Sequence, residues 1–323
     1  MVARGETAVG ATTAGQGPAD ERAARRRGEL LLCVLALAWG IGWPINKALL
    51  YVLPPLWYIA LRSAVALLAL VAIALAGRRL VLPRRGDLPV LLSIALLHMV
   101  GYGVLVSLGL ALIPTGRSVV LAYTTPLWAY PGAWLFLGER LTARRLLGGA
   151  LGLLGLAVLF NPLAFDWGDR AALLGNGALL LAAVLWAANI VHIRGHRWLS
   201  TPFELVPWEM ALATVLLTTI ALAVDGPPHI DWTPNLILLM LYAGIPGTAL
   251  TFWASATASR HLPSATMSLG LLGVPPVSIV VAALALGEMP GWSVLVAVVL
   301  ILGGIAIGAT GQTAAADSAP RKA

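Results

Sequence analysis

The chain has 323 residues, 59% of them apolar and 11% charged, with a mean hydropathy of +0.88. Soluble domains carry about 25% charged residues, so this composition excludes a water-soluble globular enzyme and indicates a polytopic membrane protein. The net charge of +7 comes as short basic clusters between apolar runs, a pattern that orients a membrane chain and argues against nucleic acid as a partner.

In chain order, residues 1–28 are rich in Gly, Ala and Thr, end in Arg25, Arg26 and Arg27, and are expected to form a disordered cytoplasmic tail. Apolar runs follow at 30–51, 56–76, 88–112, 115–137, 144–160, 173–193, 203–224, 235–258, 263–286 and 291–309, and a second polar tail is expected over 311–323. No alternating-polarity strands are present to close a barrel, so each run is predicted to be a spanning helix. The fold class expected is an all-α membrane protein with ten transmembrane helices. Cys33 is the only cysteine and lies inside the first run, leaving no intrachain disulfide and no cysteine-based metal site.

Lysine and arginine positions set the orientation. With the N-terminus inside, the inner segments hold 17 of the 21 basic residues, the outer side holds Lys47, Arg117 and Arg170, and Arg62 lies within a span. Both termini are therefore expected to be cytoplasmic, in a cell inner or plasma membrane.

The second half of the chain repeats the first. Trp39 and Trp186, Pro55 and Pro202, and Arg62 and Glu209 are each 147 residues apart. Pro114 and Pro263, Pro126 and Pro275, and Gly138-Glu139 and Gly287-Glu288 are each 149 apart. The halves, 29–161 and 162–310, carry five helices each. Five is odd, so the second copy enters the membrane from the opposite face and the repeats are inverted, an arrangement suited to alternating access.

The segments PPLWYIALR (54–62), TTPLWAYPGAWLFLGERL (124–141) and GVPPVSIVVAALALGE (273–288), with a glycine-rich fifth span, resemble the EamA-type ten-helix members of the drug/metabolite transporter superfamily over residues 29–309. That resemblance implies export or exchange of small metabolites, amino acids among them, through a central cavity. The function expected is a secondary transporter exporting small metabolites such as aromatic amino acids. The alternative is a non-transporting scaffold or sensor built on the duplicated bundle.

Several spans place aromatic and polar groups near mid-membrane. Trp39 and Trp43 share a helical face with Asn46 one turn on; His98 and Tyr102 form a similar pair. Tyr123, Thr124 and Thr125 precede Pro126; Trp186 and Asn189 lie one turn apart; Thr248 and Trp253 follow Pro246; Ser268 precedes Pro275 and Pro276. Prolines at this depth free backbone carbonyls for a cavity. The substrate pocket is expected to be walled by Trp39, Trp43, His98, Tyr102, Tyr123, Trp186 and Trp253, with Asn46, Thr124, Thr125, Asn189, Thr248 and Ser268 as polar groups. For any one of these aromatics, core packing is the alternative.

Arg62 and Glu209 each lie roughly 9 Å inside opposite membrane faces, so about 12 Å separates their levels and they are not expected to pair. Two readings stand for them: bonds to neighbouring backbone, or gating and recognition of ligand charge. Gly148, Gly152 and Gly155 in the fifth span, with Gly304 and Gly308 in the tenth, allow close helix approach, within the chain or across a dimer. No hydrolase, zinc or nucleotide-phosphate motif is present, so no catalytic residue, metal or cofactor is expected. The expected partners are a small-molecule substrate and membrane lipid, for a monomer or homodimer.

In a Cys33→Ser background, tags at residues 10 and 318 are expected to be protected in intact cells, whereas Asp166→Cys and Asp231→Cys are labelled from outside by an impermeant maleimide. Labelling of the two termini on opposite sides would remove the ten-helix count.

Overall fold

A computed structural model describes residues 18–77, 80–139, 142–160, 168–262 and 264–317, and these are helical apart from their connections. In chain order, α1 is Pro18–Leu50 and α2 is Pro55–Ala76. After a 3-10 turn at Arg85–Asp87, α3 runs through Leu88–Ser93, wide π-type turns over Ile94–Tyr102, and Gly103–Leu112. Helix α4 is broken into Thr115–Ala122 and Thr125–Leu137, and α5 is Ala143–Phe160. The second half repeats this plan. Helix α6 is Arg170–Gly195, α7 is Pro202–Asp225, and α8 comprises Pro234–Gly244, π-type turns over Ile245–Leu250, and Thr251–His261. Helix α9 is broken into Ser264–Leu271 and Val274–Leu286, and α10 is Trp292–Asp317.

Nine of the described helices are long and apolar enough to cross a membrane. The tenth, α4, is divided by the turn at Tyr123-Thr124 and is less apolar than the others. Its repeat mate α9 is divided at the equivalent place, Leu272-Gly273, and in both the following segment opens with a proline in its first turn. The same breaks make the halves recognisable as copies. The chain is an integral, multi-pass membrane protein of two inverted five-helix repeats.

Local chemistry sets the ends. Pro55, Pro202 and Pro234 each occupy the first helical position, where the missing N–H costs no bond. Thr201 and Glu204 form a reciprocal capping box at the start of α7. Helices α4 and α9 both stop at a glycine in the left-handed region, Gly138 (φ 66°) and Gly287 (φ 70°), which a side chain would strain. Helix α1 reaches back to Pro18, so residues 18–28, expected as tail, continue the first helix. Ala, Glu and Arg dominate there and are strong helix formers. Helix α10 likewise runs past 310 to Asp317; residues 1–17 and 318–323 lie outside the described residues.

Helix pairing is unchanged when the halves are exchanged: α5 packs on α10, α2 on α7, α1 on α8 and α9, and correspondingly α6 on α3 and α4. The α5–α10 contact uses the glycines noted in the sequence. A Cβ on Gly148 would run into the Gly304 carbonyl, one on Gly304 into the Gly148 carbonyl, and one on Gly155 would lie 2.8 Å from an Ile301 side-chain carbon. Trp57, near the start of α2, is buried: its indole donates to the Gly226 carbonyl at 3.0 Å and ties α2 to the end of α7. Because the number of spans is even, one face of the bundle carries both termini and is called the termini end; the other is the opposite end.

Gly148→Val is expected to overpack the α5–α10 interface and cost about 1–3 kcal/mol, lowering the thermal midpoint in detergent. Gly149→Val is the matched control, since nothing lies within 4 Å of a Cβ there. Equal midpoints would remove the steric argument.

Candidate functional site

The wide turns of α3 and α8 carry the centre of the site. A π-type turn adds a residue to the helical circuit and leaves carbonyls without their usual partners. In α8, Pro246 supplies no N–H, and the Thr248 hydroxyl donates to the Ala243 carbonyl at 2.8 Å. The α3 turns present His98 and Tyr102 to the same space that Gly247 and Thr248 line from α8.

That space is a central cavity of about 110 Å³, with room for roughly three or four waters at ~30 Å³ each. Trp39, Trp43 and Asn46 line it from α1, Arg62 from α2, Tyr123 from the α4 break, Trp186 from α6 and Phe252 from α8. Both repeats therefore contribute. His98 stacks on Trp186 with centroids 5.4 Å apart and planes 4° from parallel. Tyr102 lies 5.4 Å from His98 and 5.2 Å from Trp186, and Phe252 meets His98 edge-on at 6.3 Å. Such contacts fix large apolar walls at little conformational cost.

A small lobe of about 70 Å³ continues from Asn46, Arg62, His98, Tyr102 and Thr248 to Tyr58 and Ser107. On the other side a vestibule of about 330 Å³ extends to Tyr130, Arg194 and Ala309 at the termini end. Tyr123 and Trp186 line both vestibule and central cavity and so stand between them.

The opposite end is shut by polar contacts. Lys47, buried to 6% exposure, donates to the carbonyls of Leu110 (2.7 Å), Ala111 (3.3 Å) and Ile113 (3.1 Å), satisfying the end of α3. The Glu288 carboxylate accepts from the Thr115 amide at 2.6 Å and caps α4 from the α9–α10 loop. Arg117 donates to Asn176 at 2.7 Å, joining α4 to α6. The first segment of α4 also packs on the second segment of α9. The mirror pair, the first segment of α9 and the second of α4, makes at most marginal contact among the described residues, and the vestibule occupies that gap. At the termini end Glu139 accepts instead from Arg145 at 3.0 Å and from Arg194.

Of the residues expected to form the pocket, Trp39, Trp43, His98, Tyr102, Tyr123 and Trp186 are brought together, with Asn46 and Thr248. Thr125 lines the vestibule and donates to the Ala122 carbonyl. Phe252, not Trp253, faces the cavity, at the i, i+4 spacing from Thr248. Thr124 is consumed at the α4 break: its hydroxyl donates to Leu121 and accepts from the Trp128 indole. Asn189 accepts from Ser93 at 3.0 Å and joins α6 to α3. The Ser268 side chain lies outside the described residues. Arg62 lines the cavity, while Glu209 is buried, lines none of these spaces, and has one carboxylate oxygen, Oε1, unpartnered. Sequence reasoning missed Tyr58, whose i, i+4 spacing to Arg62 was the available signal, and the burial of Lys47, which had been counted only as a loop charge.

The chain matches the EamA-like transporter family twice, over residues 26–161 and 173–309. It is 30% identical to a probable terminal-alkyne amino-acid exporter of Streptantibioticus cattleyicolor, over 85% of this chain and 90% of that protein. It is also 30% identical to a probable amino-acid metabolite efflux pump of Salmonella typhimurium, over 88% and 96% of the two chains. An uncharacterised transporter of Bacillus subtilis is 28% identical over 88% and 92%. A crystal structure at 22% identity covers 94% of this chain and 100% of its own with a TM-score of 0.61, which shows a shared fold. With two consecutive family segments covering most of its length, the chain belongs to the EamA-like transporter family.

Proposed function

We propose that the protein is a secondary transporter that exports small metabolites of the amino-acid class, aromatic ones included, by alternating access. The carrying observation is a central cavity walled by aromatic side chains from both repeats, with a vestibule toward one end only and polar contacts shutting the other. The vestibule falls within the usual size of small-molecule sites, and indole and phenol rings suit an apolar or aromatic cargo. The two relatives named for amino-acid export support the same class. Charge distribution supports cytoplasmic termini in the cell membrane, which would turn the open side to the cytoplasm, and the names of the two relatives favour export as the direction.

In this reading the repeats exchange roles during the cycle. Thr115 opens α4 and Ser264, 149 residues on, opens α9; Glu288 and Glu139 are equivalent carboxylates. Glu288 caps Thr115 in the closed end, and Glu139 caps Ser264 when the termini end closes and Arg194 and Arg145 release it.

Efflux of radiolabelled amino acids from loaded cells, against cells lacking the protein, tests the cargo class; no difference for any amino acid would overturn it. Trp186→Ala removes the partition between cavity and vestibule and is expected to change apparent affinity or cargo preference per folded molecule, whereas Trp253→Ala is not. Glu288→Ala removes a helix cap worth about 1 kcal/mol, roughly a fivefold shift in a two-state equilibrium. Ser118→Cys, buried behind that cap, is then expected to be labelled faster from the opposite end; an unchanged rate would remove Glu288 from the gate.

A further inference from the structure

We infer that an anionic group of the cargo, a carboxylate in the amino-acid reading, is seated on Arg62 and Asn46 in the central cavity. The inference rests on the transporter reading above and narrows it to what the cargo must carry.

Arg62 has five N–H donors and no choice of charge state. Its Nε donates to the Thr248 hydroxyl oxygen at 3.0 Å and its Nη1 to the Tyr58 hydroxyl at 3.2 Å. Thr248 gives its own proton to the Ala243 carbonyl, which leaves its oxygen oriented as an acceptor. Two neutral hydroxyls thus fix the plane of the guanidinium without neutralising it. Nη2 donates to nothing among the described residues, and the residue lines both the central cavity and its small lobe.

Asn46 lines the same two spaces, and its side chain makes no hydrogen bond among the described residues. A carboxamide donor beside a fixed guanidinium fork matches the two oxygens of a carboxylate. No aspartate or glutamate lines the cavity, its lobe or the vestibule, and Arg62 makes no ion pair among the described residues. Glu209, its repeat mate, does not line any of the three. A positive charge held at this depth without a counter-charge attracts an anion from the open side and repels a free amine. The ammonium of a zwitterion finds no carboxylate there, only aromatic faces such as Trp39, Trp43 and Tyr123 and neutral acceptors, so an α-amine is accommodated and not required.

Four probes of one skeleton test this on the purified full-length protein in lipid nanodiscs: L-phenylalanine, 3-phenylpropionate, phenylalaninamide and phenethylamine. Binding is read by tryptophan fluorescence, since Trp39, Trp43 and Trp186 line the cavity. The two carboxylates are expected to bind and the amide and amine to bind at least about tenfold more weakly, the scale of a charge-assisted hydrogen-bond pair. That preference disappears in Arg62→Gln and shrinks severalfold in Asn46→Ala, which keeps the guanidinium in place and serves where Arg62→Gln does not fold. A purely structural Arg62 would change yield and not the ranking of the probes. Equal binding of all four, or an unchanged ranking in the folded variants, overturns the Arg62 seat and leaves the amino-acid reading standing. Binding of 3-phenylpropionate without phenylalanine supports the seat and overturns the amino-acid reading; binding of neither carboxylate overturns both.

Discussion

Inside hydrocarbon every backbone N–H and C=O must be satisfied by the protein itself, and an unpaired one costs several kcal/mol. This fold breaks or widens its helices at α3, α4, α8 and α9, so it creates that demand in the middle of the membrane. Side chains meet it. Lys47 takes three carbonyls at the end of α3, Ser118 donates to Pro114, Thr124 and Thr125 donate across the α4 break, and Thr248 and Thr251 serve the wide turn of α8. Glu288 supplies the missing acceptor at the start of α4. These groups are committed to holding the irregular backbone. Asn46, His98, Tyr102 and the remaining donors of Arg62 make no such bond among the described residues, and they surround the central cavity. The site is what remains after the backbone has been satisfied.

The same irregularities give the bundle a direction. Exchange of the halves preserves the α5–α10 and α2–α7 contacts, which hold the two repeats together, but not the contacts of the broken helices. The first segment of α4 meets the second segment of α9; their mirror images stand apart, with the vestibule between them. A symmetric sequence has thus adopted an asymmetric packing, and the departure is confined to the elements with interrupted backbone ladders.

The architecture was legible in the sequence because its causes are repetitive. Apolar runs of fixed length specify spans, and paired prolines and Gly-Glu steps at constant offset specify the duplication and its inversion. Most of the cavity wall was legible too: Trp39, Trp43, His98 and Tyr102 lie on helical faces that one period predicts. On α8 the expectation was off by one residue: Phe252, one turn on from Thr248, faces the cavity in place of Trp253. Thr124 and Asn189 were placed at the right depth, yet depth alone does not say whether a hydroxyl or amide is consumed by its own backbone or by a neighbouring helix. Lys47 shows the same limit from the other side. A lysine beside a loop reads as a solvated charge, and only the end of α3, 63 residues away in sequence, makes it a buried cap.

Repeat equivalence sharpens the contrast between the ends. Lys47 and Arg194 are mates, as are Glu288 and Glu139, yet at the opposite end Lys47 and Glu288 each cap backbone groups, while at the termini end Arg194 and Glu139 are joined in a salt bridge. Arg194 is 41% exposed and Glu139 24%, and ion pairs so exposed contribute about 0–1 kcal/mol because water competes for both partners. Lys47 is different: withdrawing it would strand three carbonyls and a buried ammonium together. Under alternating access, closing the termini end requires only the loss of weak, solvated bonds, whereas opening the other end requires breaking a desolvated cluster. The harder step therefore lies at the opposite end, and a cargo whose charge engages Arg62, between the two ends, acts on an element that bridges the repeats: α2, held to α7 across the interface and to α8 through Thr248.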